Sequence, residues 1–297
     1  MTSEPAPTDH RAAPHGTSHI GDSLVAALHR QLGAAVRSSL RPASYFGLVR
    51  ELLLTSVHAT MYPLGLLPPT PFAHDVDNPS IPRRPVILVH GWVHNRSAFL
   101  LMQRALRRAG LGPVHTFEYP SITSDLNQVA RHLAPVVEKT VGDARENTCV
   151  LIGHSMGGLV ARQYVQQLGG HELVDTVVTM GTPHRGTYTA WFGVGQAIEQ
   201  CRPGSAYLQQ LERTARPGLA RWIAYYSDLD FMITPAVSAK LLTPALDATN
   251  VRIRDIGHLS LLLSRPVLAD LLVRLDEPAT VSAVAHAADD HTRISGA

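Results

Sequence analysis

The most chemically suggestive feature of this sequence is a serine with a glycine two positions to either side, directly behind an apolar run. Gly153-His154-Ser155-Met156-Gly157 follows Cys149-Val-Leu-Ile and leads into Gly158-Leu-Val-Ala, which reads as strand, sharp turn and helix, the nucleophile-elbow pattern. A turn this tight makes residues two places from the serine collide unless they lack side chains, which is why glycine is needed at 153 and 157. The turn lifts the Ser155 hydroxyl above a sheet at a helix N-terminus, where backbone N–H groups point toward developing negative charge. That suits nucleophilic attack on an acyl carbonyl, with the serine as covalent carrier. A glycine-rich strand-to-helix turn can also bind phosphate or merely pack tightly. Here no lysine follows the glycines as in a phosphate-binding loop, and the spacing of a dinucleotide fingerprint is absent.

A serine so placed needs a base to take its proton, an acid to orient that base, and donors for the oxyanion of the tetrahedral intermediate. Upstream, Val86-Ile-Leu-Val ends in His90-Gly91-Trp92, and a loop at that strand end can supply an amide. The N–H groups of Trp92 and Met156 are therefore the candidate oxyanion donors. His90, at the strand end itself, is better suited to fixing the loop through neighbouring backbone. The base is expected after the serine, since triads on this turn run in the order serine, acid, histidine. Of the later histidines, His286 and His291 lie in a polar tail and His171 in a polar connection, leaving His184 and His258. His258 follows the last strand-like run, in Asp255-Ile-Gly-His-Leu-Ser, where a loop can reach Ser155; it is the candidate base. For the acid, Tyr225-Tyr-Ser-Asp-Leu-Asp offers Asp228 and Asp230, whereas Asp255 is too near His258 in sequence for the side chains to converge easily.

These residues need a scaffold that gathers distant loops. Six short apolar runs, Val86–His90, Val114–Tyr119, Thr148–Gly153, Val174–Met180, Arg221–Ser227 and Val251–Ile256, alternate with helical periodicity at Ala98–Ala109, Leu126–Thr140 and Gly157–Leu168. Continuous runs such as Val-Ile-Leu-Val signify strands covered on both faces, so the expectation is an α/β fold with a doubly wound, mostly parallel sheet of about six strands. Pro135 is expected to kink or shorten its helix. Ahead of the sheet, Ile20–Leu40 and Ala43–Tyr62 carry leucines at helical spacing (Leu24, Leu28 and Leu32, then Leu48, Leu52 and Leu53), and a proline-rich stretch follows. The expected organisation is a polar mobile tail over 1–19, a helical extension and linker over 20–81, a catalytic domain over 82–276, and a second mobile tail over 277–297. Residues 187–218 make a long connection carrying Trp191, Phe192, Val194, Ile198, Tyr207 and Leu208, which reads equally as a lid or as a helical insertion with its own core.

With 297 residues, 45% hydrophobic and 17% charged, the chain can bury one full core and falls outside the disordered and collagen-like classes. A net charge of +2 provides no field to draw nucleic acid, and no such partner is expected. Two cysteines, one of them in the apolar Cys149 run, make no disulfide framework. The N-terminus lacks a secretory pattern, and Tyr45 to Leu67 is interrupted by Arg50, Glu51, His58 and Pro63, so it does not read as a membrane span. The expected location is cytoplasmic or peripherally membrane-associated. Residues 43–67 are either a helix packed on the catalytic domain or an interfacial anchor, and packing is favoured because the basic enrichment of an anchor on anionic membranes is missing.

Four motifs now stand in order: His90-Gly91-Trp92, Gly153-His154-Ser155-Met156-Gly157-Gly158, Gly181-Thr182-Pro183-His184-Arg185-Gly186, and Asp230 with Gly257-His258. Together, over residues 82–275, they resemble bacterial triacylglycerol lipases and esterases of the α/β-hydrolase superfamily. The resemblance implies a serine carboxylic-ester hydrolase acting on small-molecule or lipid acyl esters, with no cofactor. Ser227-Asp228-Leu229-Asp230 matches the family's Ser-x-x-Asp arrangement and puts Asp230 in the acid's place. The Gly-Thr-Pro-His segment looks like a family loop that is structural or lines the acyl site, which assigns His184 to support. Longer members have two more strands ahead of the His-Gly loop, whereas this chain reads like the compact lipases with a six-stranded sheet. The calcium-binding aspartate pair of some relatives is not recognisable, so no metal is expected. An acyltransferase or thioesterase with the same triad, and an inert binding module on the same fold, are the other readings.

Overall fold

A computed structural model of the chain describes residues 42–67 and 84–277. The apolar runs form strands β1 (Val86–Val89), β2 (Val114–Phe117), β3 (Cys149–His154), β4 (Val174–Met180), β5 (Arg221–Ser227) and β6 (Thr249–Ile253). They pair side by side in the order β2-β1-β3-β4-β5-β6, and every pairing is parallel. Every residue of β1 and β3 is buried, as unbroken apolar runs require when helices cover both faces. The order reverses between β1 and β3, and the helices that follow them, Leu100–Arg108 and Met156–Gln167, cover opposite faces, which makes the carboxyl ends of these two strands the switch point where a crevice is expected.

The remaining elements are helices α1 (Pro42–Leu66), α2 (Leu100–Arg108), α3 (Leu126–Ala144), α4 (Met156–Gln167), α5 (Gln196–Gln200), α6 (Ala206–Arg213), α7 (Ser260–Leu263) and α8 (Arg265–Asp276), with short 3-10 turns between some of them. On one face of the sheet, Ile87, Val89, Leu151 and Val177 pack with Leu126, Leu133, Leu159 and Val160 of α3 and α4. On the other, Val86, Leu88, Val150 and Ile152 pack with Met102, Leu106, Val267 and Leu271 of α2 and α8. Each such wholly buried aliphatic side chain contributes about 1.5–3 kcal/mol relative to exposure. Cys149 and Cys201 are buried and free.

Several boundaries differ from the sequence reading. The last strand begins at Thr249 and stops at Ile253, not Ile256, because Asp255 takes a left-handed φ of 57° and turns the chain out of the sheet. The helix containing Pro135 is not shortened; it runs on to Ala144, its later turns held by buried Val137, Thr140 and Val141. The 187–218 connection does not build a separate core. Ala197, Ile198, Cys201, Tyr207, Leu208 and Leu211 join the core on the α3–α4 face, while Phe192 (77% exposed) and Val194 (70% exposed) point outward.

Helix α1 spans the expected Ala43–Tyr62 and continues through Pro63, but the side it turns to the protein is not the leucine-rich one. Glu51, Leu54, His58 and Tyr62 form the half-buried row, while Leu52, Leu53, Val57, Leu64 and Leu66 are exposed. Hydrogen bonds rather than apolar contacts account for much of the docking. Arg50 donates to the Asp255 carbonyl at 2.8 Å, Asn95 donates to the Tyr62 carbonyl at 2.9 Å, and Arg96 donates to the carbonyls of Leu64 and Leu67. No described helix is long and apolar enough to cross a membrane. The expected helix over 20–40, both tails except Glu277 in the second, and most of the linker lie outside the described residues.

Candidate active site

Ser155 is the single residue between β3 and α4, with φ 55° and ψ −129°. A residue bearing a Cβ adopts such a backbone only where its surroundings impose it, at a cost of order 1–3 kcal/mol. The restraint is visible: Ser155 N–H donates to the Met180 carbonyl at 2.8 Å, and a side chain at Gly153 or Gly157 would overlap, respectively, the first turn of α4 or the backbone of Val89 and His90. Ser155 is half-buried, so its hydroxyl remains accessible.

The loop after β1 lies directly against this turn. A Cβ built on Gly91 would stand 2.7 Å from the Ser155 Cβ and 3.2 Å from its Oγ. His90 fixes the loop: its carbonyl accepts from Tyr119 Oη at 2.6 Å, its ring stacks on Tyr119 at 4.3 Å between centroids, and its Nδ1 is 3.0 Å from the Gly91 carbonyl. Burial pushes the His90 imidazole down to about 4, leaving it neutral. Val93 is held at φ 55°, its N–H donating to Ser121 Oγ at 3.0 Å. Trp92 sits between these fixed points, and Met156 is the first residue of α4. One candidate oxyanion donor thus lies on the loop after β1 and the other at the N-terminus of α4.

Asp230 and His258 come together from loops after β5 and β6. His258 Nδ1 lies 2.7 Å from Asp230 Oδ2, with the carboxylate fully buried. The other oxygen, Oδ1, accepts from the Met232 and Ile233 amides, each at 3.0 Å. His258 adjoins the elbow: its carbonyl is 3.1 Å from His154 Nε2, and the two rings are 4.6 Å apart. Burial alone would lower the His258 pKa, but the charge and hydrogen bond of Asp230, followed by the charge of Glu51, outweigh it and hold the imidazole above its ordinary value. Gly181, at φ 56°, makes room for the pair, since a Cβ there would approach Asp230 Oδ2 to 2.8 Å and His258 Nδ1 to 3.0 Å.

The alternatives fall elsewhere. Asp228 forms a two-point ion pair with Arg252, its oxygens accepting from Arg252 Nε at 3.0 and 3.2 Å and from Nη2 at 2.6 Å. His184 is buried, with Nε2 3.0 Å from Thr179 Oγ1, and burial keeps its pKa well below the ordinary value. Among the described residues no group of three or more His, Cys, Asp or Glu side chains could hold a metal ion.

Two features of the site were not legible in the sequence. Rings of His58, His94, His154 and His258 follow one another from α1 to the crevice, with centroids 4.8, 5.5 and 4.6 Å apart. Glu51, read in the sequence as a polar interruption and part of a partly polar face with Arg50 and His58, accepts from the Leu259 amide at 2.7 Å and the Ser260 amide at 3.0 Å, and also from the Ser260 hydroxyl. The available signal was the polar face that Arg50, Glu51 and His58 make along a largely apolar helical stretch.

The chain belongs to the alpha/beta hydrolase family, whose model matches residues 86–294. The Lysosomal thioesterase PPT2-B of Xenopus laevis is 27% identical over 131 residues, which make up 41% of this chain and 43% of that one; the chain thus spans less than half of this curated relative. Among solved structures, mature lipase BlEst2 of Bacillus licheniformis aligns with a TM-score of 0.56 at 17% identity, covering 66% of this chain and 94% of that one. Aspergillus fumigatus lipase B aligns with a TM-score of 0.59 at 15% identity, covering 66% of this chain and 53% of that one. At these identities the structural likeness is one of fold.

Proposed function

We propose that this chain is a serine carboxylic-ester hydrolase of lipase or esterase type, working through an acyl-enzyme on Ser155. The observation that carries the reading is the buried Asp230–His258 pair, 2.7 Å from Oδ2 to Nδ1, beside a strained serine turn that faces a glycine loop. In this mechanism Ser155 Oγ attacks the ester carbonyl while His258 takes its proton, and the Trp92 and Met156 amides receive the oxyanion. The carbonyl re-forms as the alcohol leaves with the proton from His258. Water, deprotonated by His258, then attacks the acyl-enzyme; the Ser155 Oγ–acyl bond breaks, Oγ takes the proton back from His258, and the acid is released. Asp230, fixed by two backbone amides on its other oxygen, keeps the Nδ1 proton directed at itself and Nε2 free for Ser155.

Trp191, Phe192 and Val194 are exposed on the stretch whose Gly193 lies against the Trp92 ring, and apolar side chains there would favour an acyl group over a charged substrate. The outward leucines of α1 provide a surface for peripheral contact with a lipid layer. Labelling of the intact protein by a fluorophosphonate, mapped by peptide mass spectrometry, tests the nucleophile. Modification at Ser155, with loss of ester turnover in proportion, is the expected result; full turnover in Ser155→Ala would end the proposal. A thioesterase is the second reading, favoured by the 27% identical relative. It predicts that acyl thioesters outcompete oxygen esters of equal chain length in kcat/KM.

A further inference from the structure

Helix α1 lies before the 86–294 stretch that matches the family, yet it delivers a carboxylate to the loop bearing His258. We propose that Glu51 is a positioning residue for His258, its carboxylate clamping the two backbone amides and the hydroxyl that follow the histidine. The inference rests on the reading of Ser155 and His258 as nucleophile and base.

The geometry is specific. Glu51 Oε1 accepts from Leu259 N, and Oε2 accepts from both Ser260 N and Ser260 Oγ, so each oxygen is used and the loop is gripped at consecutive residues. Hydrogen bonds to an ionised acceptor are about twice as strong as neutral ones. The approach is so close that a Cβ on Gly257 would overlap the Glu51 side chain and displace it. A second anchor acts one turn of the loop earlier, where Arg50 donates to the Asp255 carbonyl at 2.8 Å.

The partners of Glu51 in this clamp are two amides and a hydroxyl, none with a positive charge, so its own charge is left to act on the imidazole. His258 faces Asp230 from the loop after β5, Glu51 from α1, His154 from β3 and His94 from the loop after β1. Burial keeps His154 and His94 neutral, leaving two carboxylates as the charges that favour imidazolium. Glu51 thus acts twice, mechanically through the loop and electrostatically on the protonated state that forms as Ser155 attacks.

The test compares Glu51→Gln and Glu51→Asp in the full chain, reading the His258 titration by NMR and the pH profile of kcat/KM on a soluble short-chain ester. Glu51→Gln keeps volume but loses charge and one acceptor. It is expected to lower the His258 midpoint and the acid limb together by about half a unit to one unit. It is also expected to reduce kcat by about tenfold to a hundredfold with KM little changed, through displacement of the base. Glu51→Asp, which restores charge, should return both midpoints toward wild type. Unchanged midpoints in Glu51→Gln would overturn the inference, whatever happens to thermal stability. The NMR titration needs no turnover, so the two readings fail separately. A shifted midpoint alongside full turnover in Ser155→Ala removes the hydrolase reading, and an unshifted midpoint alongside an inactive Ser155→Ala removes the Glu51 inference.

Discussion

His258 Nδ1 and Asp230 Oδ2 are 2.7 Å apart in surroundings almost closed to solvent, and the second carboxylate oxygen is held by two backbone amides. Asp230→Asn preserves volume but presents either a carbonyl or an NH2 group to Nδ1, which unsettles the imidazole tautomer. Turnover is expected to fall by up to about four orders of magnitude with the protein still folded. Asp228→Asn loses only an exposed pair with Arg252 and should change turnover little. Steady-state kinetics on the two variants, beside circular dichroism, decide it; the reverse ranking would move the acid two residues upstream.

Gly181 offers a test that separates strain from obstruction. Gly181→Ala meets both a left-handed φ of 56° and atoms of Asp230 and His258 at 2.8 and 3.0 Å, so it should lose stability and about a hundredfold or more in kcat. Gly110→Ala has a left-handed φ of 83° but nothing within 4 Å, so it should lose stability alone. Thermal melts with kinetics on both variants check this. Equal retention of kcat would mean that Gly181 gives the pair no needed room.

On the proposed mechanism, a base held above its ordinary value sets the pH profile. The acid limb of kcat/KM should have its midpoint above about 6.5, because below it His258 is protonated and cannot accept the Ser155 proton. Asp230→Asn removes the largest charge that raises the midpoint, so any residual activity should show the limb at lower pH. A wild-type midpoint below 6 would show that burial wins over the carboxylates.

The outward face of α1 makes a prediction about lipid. Leu52 and Leu53 are each 62% exposed and lie away from the row that docks through Glu51. The full chain should co-sediment with zwitterionic phosphatidylcholine vesicles, and Leu52→Glu with Leu53→Glu should abolish this while soluble-ester turnover is kept. Failure of the wild-type chain to sediment would reject lipid contact at this face.

How far the sequence foretold the molecule depends on how local each signal was. Strands β4 and β5 match the reading residue for residue, since each apolar run ends at a turn, Gly181 in one case and Asp228 in the other. Strand β6 is an edge strand whose Asn250 and Arg252 interrupt the apolar pattern, and its boundary was displaced accordingly. The serine turn was legible because its geometry is written in five consecutive residues. The Glu51 clamp was not, since its partners are 208 and 209 residues away. The packed face of α1 was obscured for a related reason: periodicity finds leucines, whereas this helix docks through a carboxylate, carbonyls and an imidazole.

The buried imidazoles have a consequence for life in acid. His90, His94, His154 and His184 are all kept neutral by burial, with pKa values well under the unfolded value of about 6.5. Below that pH the unfolded chain takes up protons that the native chain refuses, so unfolding becomes linked to proton uptake at up to one proton for each of these rings. Stability must therefore decline as pH falls from about 6.5 toward the folded value of about 4 for His90. His258, raised rather than lowered, works in the opposite sense but is one ring against these four and His58, which burial also lowers. The denaturation midpoint in urea is consequently expected to drop steeply between pH 6.5 and pH 4.5, with conversion of buried His154 to Gln reducing the slope.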